Sequence, residues 1–199
     1  MLEPKHPDQI FKTHLEERKT ATAAHIDSAK QNLAATYVNA FVNAGFGKDL
    51  LLSSGDQKEN WIFKNKEGGM MAAAASLGMI LLWDIDEGLS QIDKYMDAAD
   101  EYIQAGSYMA IGITNSGIKN PCDPVFALLL ERLEQSKKEV HKIGAIIGLA
   151  IAYAGTARAD LLEAISPFVL DTSNTTELQA IAALAIGLIY VGTCDEDAA

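Results

Sequence analysis

With 199 residues, 49% of them hydrophobic and 22% charged, the chain has enough apolar material for a continuous core and lacks the composition of a disordered segment. Its 27 acidic residues outnumber 16 basic ones, and the net charge of −11 repels nucleic-acid backbones and anionic membranes while favouring basic partners. The longest apolar run, around 143–154, is broken by Gly144 and Gly148 and falls short of the roughly 20 residues that span a bilayer.

The amino terminus, MLEPKHPDQIFK, is charged and has no apolar core of the kind a secretory signal needs, which points to cytoplasm or nucleus. From Pro7 to Gly45 the spacing predicts two helices. Ile10, Phe11, His14 and Leu15 would form the apolar face of the first, and Ile26, Leu33, Tyr37, Phe41 and Val42 that of the second. The polar stretch 48–69 reads as a long loop or short helix pinned by Trp61, Ile62 and Phe63. Residues 1–69 are thus an amino-terminal helical segment with a long loop, and 70–199 a repeat region.

The repeat is the most specific feature of the chain. Aligned on Gly45, Trp83, Gly117, Gly155 and Gly192, five segments rich in small residues recur at intervals of 38, 34, 38 and 37 residues, the span of one helix-turn-helix unit of a solenoid. Glycine at these ends suits the left-handed conformation that closes a helix. Five residues before the last four ends stand Gly78, Gly112, Ala150 and Gly187, and seven before stand Ser76, Ala110, Gly148 and Ala185. A glycine inside a helix costs roughly 1 kcal/mol relative to alanine, so repeated glycines imply inner helices packed backbone to backbone. The expected fold is all-α, a superhelix of paired helices.

Between the inner helices the periodicity predicts three amphipathic outer ones. They run over 85–97 with Leu89, Ile92 and Tyr95 or Met96 inward, over 124–134 with Val125, Leu128, Leu129 and Leu133 inward, and over 159–169 with Leu162, Ile165 and Phe168 inward. Asp123-Pro124 reads as a helix start, an N-cap acceptor followed by proline in the first turn. Acidic residues gather on these outer helices. Asp86, Asp93 and Asp97 share one stripe at i, i+7 and i+11, joined by Asp100; Asp123, Glu131 and Glu134 follow on the second, and Asp160 and Glu163 on the third. Asp84, Asp123 and Asp160 also suit helix starts. The chain ends at CDEDAA, where another outer helix is expected, so it reads as one arc of a longer solenoid.

No catalytic constellation emerges. His6, His14, His25 and His141 are scattered; no HExxH, GxSxG or Walker A motif is present, and Cys122 and Cys194 lack metal-ligand spacing. The pattern argues for a binding surface, with no cofactor and no metal.

The segments NWIFKNKEGGMMAAAASLGMILLWDIDEGLSQIDKY, SGIKNPCDPVFALLLERL and GLAIAYAGTARADLLEAISPF resemble the large non-ATPase scaffold subunits of the 26S proteasome base, whose small-residue motifs are the proteasome/cyclosome repeats. The similarity runs from about Phe11 to Cys194 and is closer to the ubiquitin-receptor member than to its larger sibling. It implies an arc of a toroid in the proteasome regulatory particle, without catalysis of its own. Its implied partners are ubiquitin and polyubiquitin, ubiquitin-like domains of shuttle factors, a deubiquitinase and the base ATPase subunits. Carried over by position, the ubiquitin-binding candidates are Asp123, Glu131 and Glu134, with Asp93, Asp97, Asp100, Asp160 and Glu163 on neighbouring elements. Phe126 or Leu130 would cover ubiquitin's apolar patch. Where relatives read Ser-Asp-Tyr, this chain has Leu130-Glu131-Arg132, which sets a positive charge on that surface. A purely structural arc that docks other proteasome subunits is the competing expectation.

Overall fold

The computed structural model describes residues 3–10, 28–52 and 60–195. Among them the secondary structure is all helical. Five inner helices, α1 (Ser28–Val42), α2 (Gly68–Ile80), α4 (Glu101–Thr114), α6 (Glu139–Ala152) and α8 (Thr176–Ile189), alternate after α2 with three outer ones, α3 (Glu87–Met96), α5 (Pro124–Gln135) and α7 (Ala159–Leu170). Each inner helix packs on the next, and each outer helix packs on the inner helix that follows it, so the chain is an α solenoid.

Small residues place the inner helices. Ser76, Ala110, Gly148 and Ala185 are all buried, as their periodicity requires. At Gly112 a Cβ would fall on the backbone of Gly148, and at Gly148 on the carbonyl of Tyr108, so α4 and α6 touch main chain to main chain. The outer helices use larger side chains: Ile92 and Met96 on α3, Val125, Leu129 and Leu133 on α5, and Leu161 and Ile165 on α7 are buried in the core. On α7 the deep residue is Leu161 where the spacing favoured Leu162, which is only partly buried.

All five repeat ends take positive φ, between 69° and 81°. Three of them join neighbouring repeats: the amide of Gly45 donates to the Met79 carbonyl (2.9 Å), that of Trp83 to Thr114 (3.0 Å) and that of Gly155 to Leu188 (2.9 Å). Carbonyls left without an intrahelical partner at the end of one inner helix are thereby satisfied by the preceding turn. Trp83 does this without being glycine, and its indole N–H reaches the Ser116 carbonyl at 3.2 Å.

The first repeat departs from its expected packing. Tyr37, Phe41 and Val42 are exposed, and Thr36, Asn39 and Ala40 face inward. The buried side is held by polar bonds: Asn39 donates to Asp49 at 2.7 Å, while Asp49 also accepts from the amides of Leu51 and Leu52. Residues 7–10 are helical, and Phe11, His14, Leu15 and Ile26 lie outside the described residues. The stretch 48–69 contains a 3-10 helix, Trp61–Lys64, capped by the Asn60 side chain. Ile62 is fully buried and the Trp61 indole donates to Thr36 Oγ1 at 2.8 Å, whereas Phe63 is exposed. Residues 53–59 of that stretch lie outside the described set.

Where α5 hands over to α6, His141 is 9% exposed, edge-on to Tyr108 with Ser136 Oγ 3.1 Å from its Nδ1. Its Nε2 and the Arg132 Nε have no hydrogen-bond partner among the described residues. Burial, then the Lys138 charge, push the His141 pKa down, with Glu101 opposing and Arg132 adding to the depression. The imidazole is therefore neutral in the fold and charges more readily in the unfolded chain, near pH 6.5. Its contribution is fully present above that value and shrinks as pH drops through it toward the folded-state pKa. Thermal melts at pH 7.5 and 5.5 are expected to differ more for the wild type than for His141→Phe; equal pH slopes would contradict the buried neutral ring.

Candidate functional site

The outer helices present the acidic residues, and their carboxylates divide into two groups. On α3, Asp93 and Asp97 stand in solvent, Asp97 at 85% exposure with Arg132 only 3.9 Å away. On α5, Glu131 and Glu134 lie along the exposed crest with Pro124 and Ala127, at the i, i+3 and i+4 spacing of one helix face. Glu131 accepts a hydrogen bond from Gln135 at 3.0 Å. On α7, Glu163 is exposed. These carboxylates are all exposed to solvent.

The second group is engaged in holding the fold. Asp100 is the N-cap of inner helix α4, accepting from the amides of Tyr102 (2.9 Å) and Ile103 (3.3 Å), so it does not stand on an outer face. Asp123 precedes Pro124 as expected but makes no cap with its side chain; its backbone is left-handed, with φ of 45°. Its carboxylate instead accepts from the Tyr153 hydroxyl and the Arg158 guanidinium. Arg158 also grips Asp160 through Nε (3.0 Å) and Nη2, and lies over the rings of Phe126 (4.2 Å) and Tyr153 (4.8 Å). One arginine thus neutralises two of the candidate carboxylates and half-covers the candidate aromatic. The capping expected of Asp123 is absent here, while Asp84, through Oδ1, accepts from the amide of Glu87 at the start of α3.

The chemistry of this cluster is that of a clamp. The Arg158 hydrogen bonds hold the Asp160 carboxyl below the usual carboxylate range, and those same bonds push the guanidinium pKa further up. Burial, followed by the bond to Asp123, raises the pKa of Tyr153 above that of an ordinary phenol. Beside the clamp, the loop 115–123 and the turn 153–158 enclose a cavity of about 490 Å³. Asp123 and Arg158 in its wall are already spent on each other.

Between α3 and α5 lies a smaller groove of about 260 Å³, lined by Leu89, Ser90, Asp93, Met96, Ile111 and Leu128. Apolar spacing places Leu89 and Leu128 inward; both are only partly buried and edge this groove. Their positions beside Asp93 and one turn before Arg132 were the available signal. Phe126 and Leu130, one turn apart on α5, are half-buried on its α7 side, where Phe126 meets Tyr153 and Arg158. Arg132 is drawn toward Asp97 on the α3 side, so its charge is partly countered. Among the described residues no group of His, Cys, Asp and Glu is arranged to hold a metal ion, and no helix is long and apolar enough to cross a membrane.

No protein-family model matches the chain. Whole proteins do. It is 48% identical over its full length to a 26S proteasome regulatory subunit rpn1 of Schizosaccharomyces pombe, covering 22% of that protein. It is 46% identical over 98% of its length to a 26S proteasome non-ATPase regulatory subunit 2 of Dictyostelium discoideum, covering 21% of it. An Arabidopsis thaliana homolog A of subunit 2 is 55% identical over 62% of the chain, or 14% of that protein. The chain spans about a fifth of the length of the curated relatives that it matches from end to end. A solenoid of small-residue inner helices and acidic outer ones, aligned with these proteins along nearly all of its residues, belongs by sequence to the 26S proteasome non-ATPase regulatory subunit 2 (Rpn1) family.

Proposed function

We propose that the chain is an arc of a non-catalytic proteasome regulatory scaffold, acting in cytoplasm and nucleus, whose outer helices receive ubiquitin chains and the ubiquitin-like domains of shuttle factors. The observation that carries this reading is the pairing of α3 and α5. Asp93 lines a groove together with Leu89, Met96 and Leu128, Asp97 is exposed at the end of α3, and Glu131 and Glu134 are exposed along α5. Ubiquitin's recognition patch is apolar with basic residues around it, the complement of that arrangement. Asp123, Asp160 and Asp100 serve mainly to shape the surface, because their oxygens are already engaged. A further surface of the same scaffold would hold a deubiquitinase and the base ATPase subunits.

Weak binding follows from the chemistry. Exposed ion pairs contribute about 0 to 1 kcal/mol each, so three or four with a small apolar contact give roughly micromolar affinity. Neighbouring sites would gain avidity for a chain through effective concentrations on the order of millimolar. An amide NMR titration with monoubiquitin is expected to move resonances of α3 and α5. The double reversal Glu131→Lys/Glu134→Lys should weaken binding by about tenfold or more, at two pairs lost and two repulsions gained, with an unchanged melt. Unaltered affinity in that variant would remove this site. Absence of any shift with ubiquitin, together with tight binding to another proteasome subunit, would favour a purely structural arc.

A further inference from the structure

One concavity of this acidic protein is basic. A groove of about 390 Å³ runs between the start of α1 and the turn leading into α2, and its lining among the described residues includes Lys30, Lys64 and Lys66 but no carboxylate. All three lysines are exposed. Several cations elsewhere in the repeats have partners: Arg158 holds Asp123 and Asp160, Lys138 lies 3.0 Å from Glu101, Arg132 approaches Asp97, and Lys94 and Lys142 sit over the rings of Tyr95 and Phe168, while Lys119 and Lys137 stand singly on the surface. No ion pair joins any of the three groove lysines to a described residue. With acidic residues outnumbering basic ones 27 to 16, three ammoniums sharing one groove without an ion pair to a described residue run against the charge balance of the chain.

The groove is also held in shape by its surroundings. Lys64 ends the 3-10 helix and Lys66 lies two residues on, with the buried Asn65 between them donating to the Trp61 carbonyl at 2.8 Å. Trp61 in turn donates to Thr36 on α1, the helix that carries Lys30. The three charges are thus placed by two elements tied through a hydrogen bond, which lowers the ordering cost of meeting a ligand.

We propose that this groove docks an acidic peptide segment of a partner protein, its carboxylates paired with Lys30, Lys64 and Lys66. Spread over a groove much larger than one phosphate, three separate point charges suit several carboxylates along a chain better than one compact anion. Lysine ammoniums are strongly hydrated and flexible, so the contact is weak and sensitive to salt. It lies on elements other than the acidic outer faces of α3 and α5, and is independent of ubiquitin binding there.

The test is a fluorescence-anisotropy titration of the chain with a labelled Glu-rich peptide, a Gln-for-Glu peptide of the same length as control, and inorganic phosphate as competitor. The Glu peptide is expected to bind and the Gln peptide not. Affinity should fall several-fold between 50 and about 300 mM salt, as screening shortens to less than 10 Å. The variant Lys30→Glu/Lys64→Glu/Lys66→Glu should lose about tenfold or more, while Lys119→Glu/Lys137→Glu, with its charges outside the groove, should bind as the wild type does. Circular dichroism of both variants should match the wild type, the substituted side chains being exposed. No binding of the Glu peptide, equal binding by the groove variant, or displacement by phosphate at concentrations matching the peptide's carboxylates would overturn the proposal.

Discussion

Replacing Gly112 by valine is expected to cost at least about 3 kcal/mol, the upper part of the overpacking range, and to leave much of the chain unfolded. A Cβ at this position meets the O, C and Cα atoms of Gly148, all backbone of the facing inner helix. No rotamer change relieves such a contact; α4 and α6 must move apart, and Ile111, Ile146 and Leu149 lose part of their packing with them. Even alanine, which gains roughly 1 kcal/mol of helix propensity over glycine, should be destabilising. Gly187 supplies the contrast. It occupies the corresponding place in α8, yet a Cβ there meets nothing within 4 Å. Gly187→Ala should therefore raise stability by about 0.5 to 1 kcal/mol. Urea midpoints of the three variants read the difference directly, and a Gly112→Ala midpoint equal to that of Gly187→Ala would mean that the helices are not in main-chain contact.

Removal of the arginine clamp is expected to have the next largest effect. Arg158→Leu abolishes ion pairs to Asp123 and Asp160, together with the stacking on Phe126 and Tyr153. The guanidinium-bearing side chain is 25% exposed, so each ion pair is taken near the upper end of the surface range, about 1 kcal/mol. With about 0.5 kcal/mol for each ring contact, the sum is about 3 kcal/mol. Asp123 would keep only the Tyr153 hydroxyl, and α5 would lose its tie to α7. Arg158→Lys should recover less than half, because an ammonium cannot grip Asp160 as a fork and lie over two rings together.

The pH dependence distinguishes this clamp from mere packing. With its folded-state pKa lowered by Arg158, Asp160 contributes stability that is fully present above the unfolded value near 3.9 and is lost as pH falls through the folded one. Tyr153 works in the opposite direction: its pKa is raised, so its contribution is present below about pH 10 and is lost as pH rises beyond that. Melting curves of the wild type and Arg158→Leu should converge toward acid. A constant gap down to pH 2 would assign the loss to packing alone.

The helices themselves were legible in the amino acids because they are decided locally. Apolar spacing placed α3, α5 and α7 to within about two residues at either end. The recurring ends Gly45, Gly117, Gly155 and Gly192 marked turns because a left-handed residue is needed there whatever surrounds it. Even Trp83, where the residue type is wrong for that backbone, was located by register alone. Recurrent small residues announced close packing of inner helices, since a glycine in a helix has little other benefit to offer.

Which groups remain available is settled by packing between distant residues. Asp123 and Glu134 are alike as carboxylates on one helix in the sequence, but Tyr153 and Arg158, 30 and 35 residues away, consume the first and leave the second exposed. Tyr37 and Phe41 have the spacing of a core stripe, yet α1 turns its Thr and Asn side inward because Asp49 and Trp61 supply hydrogen-bond partners there. Gly112 and Gly187 share a register position, and only the presence of Gly148 opposite the first makes it irreplaceable. Periodicity fixes which residues share a face, since helix geometry depends on near neighbours. The use of that face depends on contacts tens of residues away, so it is settled when the repeats stack.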